Sequence, residues 1–263
     1  MKRILSAVVF LPFFFVIVYY GSPRAFFIFL SIAVLIGLIE FYSMIENSGR
    51  ECYKFLGVPL GWLLVLTIYI EKNHFTILFF TFTILLILIY RLFQKEDFTK
   101  AIEGISHTLF GVFYVGLLMS YLLLLRNLQE GYKYIFLLFL ITWMGDTVAY
   151  YTGMSIGNKK LYPKISGNKT IEGSLGGLIG SIGGAFIAKL WFFSNLRLLD
   201  CLVLGILLGV FGQLGDLCES LLKRSSAIKD SGKIIPGHGG ILDRVDSILF
   251  SAPLLYYYFI FLW

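Results

Sequence analysis

Charge is scarce in this sequence. Of its 263 residues only 14% are Asp, Glu, Lys or Arg, while 58% are hydrophobic and the mean hydropathy is +0.82. Soluble domains carry about 25% charged residues, so a water-facing globular surface is excluded. Cysteine is nearly absent as well. Cys52, Cys201 and Cys218 form no C-x-x-C pair and lie in or beside apolar runs, which argues against a disulfide framework and a zinc site. The apolar runs show no two-residue alternation, which excludes a transmembrane barrel. Lys2-Arg3 followed by Ile4–Tyr20 resembles a signal peptide, but bulky Tyr19-Tyr20 precedes Gly-Ser-Pro-Arg and no A-x-A-like cleavage site follows. A retained first helix is the expectation. Neither an internal repeat nor a separate soluble domain is visible.

What the chain does have is a series of apolar runs near the length that crosses a bilayer. They are Ile4–Tyr20, Arg24–Tyr42, Leu56–Ile70, Phe75–Tyr90, Ile105–Leu125, Tyr134–Tyr151, Gly173–Phe193, Leu198–Cys218 and Val245–Trp263. Backbone polar groups find no water in lipid, so such runs must be helices. The expected fold is an all-α polytopic integral membrane protein of about nine transmembrane helices. Residues 1–100 form an N-terminal helical region, and 101–263 a region with cytoplasmic loops at 154–172 and 219–244. The third run is the one that is both short and interrupted by Pro59.

Lys and Arg in the connections set the orientation. With the N-terminus cytoplasmic, sixteen of the 22 fall on the inner side, among them Arg50, Lys54, Lys159, Lys160 and Lys164. Arg24, Lys72, Arg126, Lys133, Lys189 and Arg197 fall outside. An odd number of spans puts the C-terminus outside. The formal charge of +6 lies between apolar spans, so a membrane surface and an anionic substrate fit it better than nucleic acid.

Charge inside a membrane is expensive and marks function by default. Asp146 lies in the inner half of the sixth run, Lys169 and Glu172 at the inner start of the seventh, Asp216 and Glu219 at the inner end of the eighth, and Asp243 and Asp246 at the inner start of the ninth. Helical spacing places Asp216, Glu219 and Lys223 on one face. Clustered carboxylates repel unless a cation neutralises them, and all-oxygen sets suit Mg²⁺. Lys169, Lys223, Arg224, Lys229, Lys233 and Arg244 supply cations for a polyphosphate. Together these describe phosphoryl or nucleotidyl transfer to a lipid at the membrane surface. The bland alternatives are helix caps and snorkelling ends, preferred for Glu40 and Glu103 taken alone. Gly167-Asn-Lys-Thr170 lacks the first glycine of a P-loop and no strand is expected before it, so that match is rejected. Gly173, Gly177, Gly180 and Gly184, with Gly205 and Gly209, have small-xxx-small spacing. Close packing within the chain is the first reading and a homodimer interface the second. His107 reads as a hydrogen-bonded bundle residue and His74 as a solvated loop residue.

From Ser220 to Asp246 the chain reads SLLKRSSAIKDSGKIIPGHGGILDRVD. This resembles the signature of the phosphatidate cytidylyltransferase (CDP-diacylglycerol synthase) family: Ser220, Lys223-Arg224, Lys229-Asp230, Pro236, His238-Gly239-Gly240, Asp243-Arg244 and Asp246. Asp146, Ala149-Tyr150 and Gly153 resemble a second block, and Ser166, Lys169-Thr170, Glu172-Gly173 and Gly176-Gly177 a third. Gly167 departs from the proline usual there. The resemblance implies CTP and phosphatidate as substrates, CDP-diacylglycerol and pyrophosphate as products, Mg²⁺ as cofactor with a second metal or monovalent cation left open, and a bacterial inner (plasma) membrane with the site facing the cytoplasm. Asp216, Asp243 and Asp246 are then the expected metal ligands, and Lys169 and Glu172 complete the catalytic set. Asp146, Ser220, Lys223, Arg224, Lys229, Asp230, His238 and Arg244 contact substrate. A phosphate monoester is already largely dianionic near neutral pH, so no general base is required. Two rivals stay open: a CTP-dependent lipid kinase or cytidylyltransferase with another acceptor, and an ion-coupled transporter. The D-G-x-x-A-R pattern of enzymes that consume the liponucleotide is absent.

Overall fold

The computed structural model describes residues 2–70, 73–94, 98–232 and 239–263, with backbone only for 2–10 and 73–75. Lys72, Lys95, Lys233, Pro236 and His238 lie outside the described residues, as does the His74 side chain. The chain divides into two compact units. Unit 1 comprises residues 1–124 and 225–244, and unit 2 comprises 125–224 and 245–263.

Unit 1 begins with α1 (Lys2–Tyr20), α2 (Pro23–Asn47), α3 (Lys54–Ile70) and α4 (Asn73–Leu92). A 3₁₀ turn at Phe98–Lys100 leads into α5 (Ala101–Gly111), a π-helical stretch at Val112–Leu117 and α6 (Leu118–Asn127), whose end passes into unit 2. Ser22 starts α2 by accepting the Ala25 amide, with Pro23 preset for the first helical position. Gly49, at φ +75°, turns the chain after α2. The core lies where α3 meets α2 and the π stretch. Tyr42 is fully buried there, and its hydroxyl donates to Thr108 O at 2.7 Å. Glycine permits this approach: a Cβ on Gly111 would lie 2.6 Å from the Tyr42 ring, and one on Gly61 2.6 Å from Leu38. His107 bonds Glu51 O through Nδ1 at 2.8 Å, as a bundle residue does.

Unit 2 contains α7 (Tyr132–Ile156), strands β1 (Lys160–Tyr162) and β2 (Ser166–Thr170), α8 (Ile171–Trp191), α9 (Leu198–Ser225) through Arg224 and α10 (Leu242–Phe261) from Val245. The strands pair antiparallel, Lys160 opposite Thr170 and Tyr162 opposite Ser166. Thr170 caps α8, its hydroxyl accepting the Gly173 amide. The α8 glycines pack against α7: a Cβ on Gly177 would lie 2.9 Å from Ala149 Cβ, and one on Gly180 2.7 Å from Met144 O. Gly209 on α9 meets Ser181 of α8 in the same way. The small-residue stripe is thus filled within the chain. Gly183, off the stripe, faces open space.

Each of the nine apolar runs coincides with helix, the fifth spanning α5, the π stretch and α6. Among the described residues five helices are long and apolar enough to cross a membrane: Pro23–Asn47, Phe98–Asn127, Tyr132–Ile156, Ile171–Trp191 and Leu198–Ser225. The molecule is a helical, polytopic membrane protein. Three local expectations are corrected. Residues 154–172 contain a β-hairpin, so a strand does precede and contain Gly167–Thr170. The loop expected from residue 219 is helical through Ser225. Of the two readings of Glu40, the snorkelling end is excluded by its 4% exposure, while the cap is found, for a helix other than its own.

Candidate functional site

The acidic residues gather in unit 2 because helices α9 and α10 touch closely. Gly215 allows it: a Cβ there would lie against Asp246 O and 3.2 Å from Phe250. The far ends of the two helices are pinned by Asp200, whose carboxylate accepts from Arg197 and, at 2.7 Å, from the Tyr258 hydroxyl. At the site end Asp216 pairs with Lys169 of β2 at 2.5 Å and accepts a long bond from Ser220 at 3.4 Å. One turn on, buried Glu219 pairs with Lys223. Asp246 lies within the fields of Asp216, Glu219 and Asp146. Asp146 in turn feels both Asp216 and Lys169. Four carboxylates therefore face two ammonium groups.

Asp146 also lines a polar cleft with Thr142, Gly145, Ser181, Gln213 and Ser247. Gln213 fixes one wall, donating to Ser174 O at 3.0 Å while the Ser174 hydroxyl donates back to its carbonyl. The hairpin is tied down by Glu172, whose carboxylate accepts the amides of Asn158 and Lys159 at 3.1–3.3 Å. Arg224 Nε donates to Ile165 O at 3.2 Å, joining the end of α9 to the hairpin.

A second arrangement occupies unit 1. Asp243 Oδ2 accepts the Ser231 amide, the Ser231 hydroxyl and the Gly240 amide at 3.0, 2.9 and 2.8 Å. Glu40 of α2 accepts the amides of Ile241 and Leu242 at 3.0 and 3.1 Å. Arg50 donates to Ser225 O at 2.9 Å. Lys229, Asp230 and Arg244 are exposed.

The structure thus brings together Asp146, Lys169, Asp216, Ser220, Glu219, Lys223 and Asp246 in unit 2. Asp243 is held in the turn of unit 1, and His238 is outside the described residues. Among the described residues no three His, Cys, Asp or Glu side chains converge at ligand distance. Lys169 and Lys223, expected to meet phosphate, are engaged with carboxylates. Sequence reasoning missed Gln213, Ser231 and Glu40. An acid inside an apolar run marks Glu40 as costly, but nothing local in the sequence names its partners.

Fold and site define a multi-helix membrane protein that keeps a carboxylate–lysine cluster where two helices meet a small hairpin. The chain matches the cytidylyltransferase family over residues 1–262 and belongs to it. It is 44% identical over 177 residues to the phosphatidate cytidylyltransferase of Bacillus subtilis, covering 67% of this chain and 65% of that protein. The phosphatidate cytidylyltransferase of Staphylococcus saprophyticus is 38% identical over 226 residues, covering 83% and 85%. That of Synechocystis is 35% identical over 260 residues, covering 89% and 87%.

Proposed function

We propose that this chain transfers the cytidylyl group of CTP to phosphatidate, giving CDP-diacylglycerol and pyrophosphate for phospholipid synthesis. The observation that carries this is the family membership, with relatives at 35–44% identity named for that activity. A phosphatidate oxygen attacks the α-phosphorus of CTP and forms the new P–O bond. The bond from that phosphorus to the bridging oxygen breaks, and pyrophosphate leaves with its electrons. Phosphatidate is already dianionic near neutral pH, its second pKa lying near about 6, so it needs no base.

The excess of negative charge in the acidic cluster, rather than a preformed ligand set among the described residues, supports a divalent cation there. Asp146, Asp216, Glu219 and Asp246 outnumber Lys169 and Lys223 by two formal charges. Asp216 and Asp246 are the residues that would hold Mg²⁺, beside Lys169, which pairs with Asp216. When bound, the ion supplies charge neutralisation for the pyrophosphate leaving group. Arg224 of unit 2 is exposed at the end of α9, and its guanidinium is suited to phosphate oxygens. In unit 1, Lys229 and Arg244 are likewise exposed cations. Glu172 positions the hairpin from which Lys169 reaches the cluster. Asp243 orders the turn before Arg244.

The chain crosses a bacterial cell membrane nine times, N-terminus inside, with hairpin and signature turn facing the cytoplasm. The distribution of Lys and Arg supports this orientation.

The reaction is tested with purified protein in detergent, phosphatidate, Mg²⁺ and CTP labelled in the cytidine or at the γ-phosphate. Cytidine label should enter lipid, depend on Mg²⁺, and fall about 10- to 100-fold in Asp216→Asn, the range for lost charge-assisted contacts. Label arriving only from the γ-phosphate would identify a lipid kinase. No transfer from either position, with several lipid acceptors, would point to transport.

A further inference from the structure

Helix α10 begins without a Ser, Thr, Asp or Asn cap of its own, since Gly240 and Ile241 precede Leu242. The leading amides of any helix lack intrahelical partners. Here they are met from α2. Glu40 Oε1 accepts the Ile241 amide, and Oε2 accepts the Leu242 amide and, at 3.4 Å, the Ser231 hydroxyl. A carboxylate at a helix N-terminus also complements the helix dipole. The cap is supplied by a residue 201 and 202 positions away in the chain.

The surrounding residues accommodate it. A Cβ on Gly232 or on Gly240 would overlap the Glu40 carboxylate. Gly239 takes the left-handed conformation, φ +80°, that turns the chain into this contact. Asp243 grips the same turn through Ser231 and Gly240. Residues 231–232 and 240–242 are thereby fixed to α2, and with them the base of α10 that carries Asp243 and Arg244.

We propose that Glu40 is a positioning residue for cytidylyl transfer, which holds residues 231–232 and 240–242 in the geometry that presents Asp243 and Arg244 to CTP. The role rests on the reaction proposed above. It acts through the backbone of the turn and touches no substrate. It differs from a packing role in what an isosteric amide does. Glu40→Gln keeps the shape and removes a buried charge, so a space-filling residue would tolerate it. A two-amide cap would not, because the new NH₂ group meets a backbone N–H.

The experiment measures steady-state kinetics and limited trypsin cleavage on full-length Glu40→Gln and Gly240→Ala. The second variant retains the Glu40 carboxylate and pushes it aside with a Cβ, so the test survives if the first fails to fold. Both variants are expected to raise KM for CTP about 10- to 100-fold, the range for hydrogen bonds to a charged group. KM for phosphatidate should stay within about twofold, a change too small to represent a lost hydrogen bond. Cleavage after Lys229 should accelerate, while cleavage at Lys159 and Lys160 in the hairpin stays at the wild-type rate. Wild-type KM for CTP together with wild-type cleavage after Lys229 would overturn the assignment, as would equal rises in both KM values. If the wild-type chain transfers no cytidine label, the proposed reaction fails, and the trypsin measurement alone decides whether Glu40 holds the turn.

Discussion

Glu219 and Lys223 lie one helical turn apart on α9, and both side chains are largely withdrawn from solvent, at 3% and 13% exposure. Removing one member of a buried pair strands the other charge and costs about 3–5 kcal/mol, whereas replacing both with apolar groups is often neutral. Lys223→Met should therefore destabilise the protein by about that amount. The double variant Glu219→Leu with Lys223→Met should recover most of the loss. A double-mutant cycle by thermal unfolding in detergent checks this, and a loss in the double variant equal to the sum of the two single losses would show that the pair carries no coupling. Activity should follow a different order. Glu219 contributes to the negative field at Asp246, so the apolar double variant is expected to stay less active than wild type even when its stability returns. Residues such as this pair were legible in the sequence, because i,i+4 spacing alone places them on one face. Glu40 was not. Its partners lie about two hundred residues downstream, and no local spacing connects α2 with the signature turn.

At the scale of elements, hydrophobic length reads out well and polar structure poorly. Every apolar run became helix because lipid leaves the backbone no other partner. The hairpin at 160–170 was invisible for the opposite reason. Its strands have three and five residues, are largely exposed, and show no buried alternating face. The end of α9 was misplaced because polarity marks where a helix leaves the bilayer, not where it stops. Lys223 and Arg224 are favourable residues for a last turn. Glycine spacing on α8 was legible, but which glycines are indispensable was not. Gly180 and Gly183 separate the cases. A Cβ on Gly180 would lie 2.7 Å from Met144 O and 2.7 Å from Val148 Cβ, while one on Gly183 meets nothing within 4 Å. Gly180→Ala should cost about 1–3 kcal/mol by overpacking. Gly183→Ala should be neutral or stabilise by up to about 1 kcal/mol, the helix preference for alanine. Unfolding midpoints of the two variants measured side by side test this. Equal effects would show that α8 does not meet α7 along this stripe.

For the whole molecule, composition alone fixed the class, and the family resemblance supplied the reaction, but the grouping of residues 225–244 with 1–124 came only from the fold. Crossing number depends on which of the apolar helices span the membrane. Five helices satisfy length and composition for spanning, while α1, α3 and α4 contain shorter apolar segments of 10–17 residues. Of these α3 decides the parity, because Pro59 interrupts its 17 residues. If α3 crosses, reporters fused after Asn47 and after Ile70 lie on opposite sides, and one fused after Trp263 lies outside. If α3 stays on one side, the first two agree and every later connection inverts. That inversion would carry Lys159, Lys160 and Lys164 outward with the hairpin, against the usual retention of Lys and Arg on the cytoplasmic side. A phosphatase reporter, active only outside, should therefore be silent after Asn47 and within the hairpin at exposed Gly167, and active after Ile70 and Trp263. An active reporter at Gly167 would place the Lys169–Asp216 end of unit 2 outside, where cytoplasmic CTP could not reach it, and would overturn the proposed orientation.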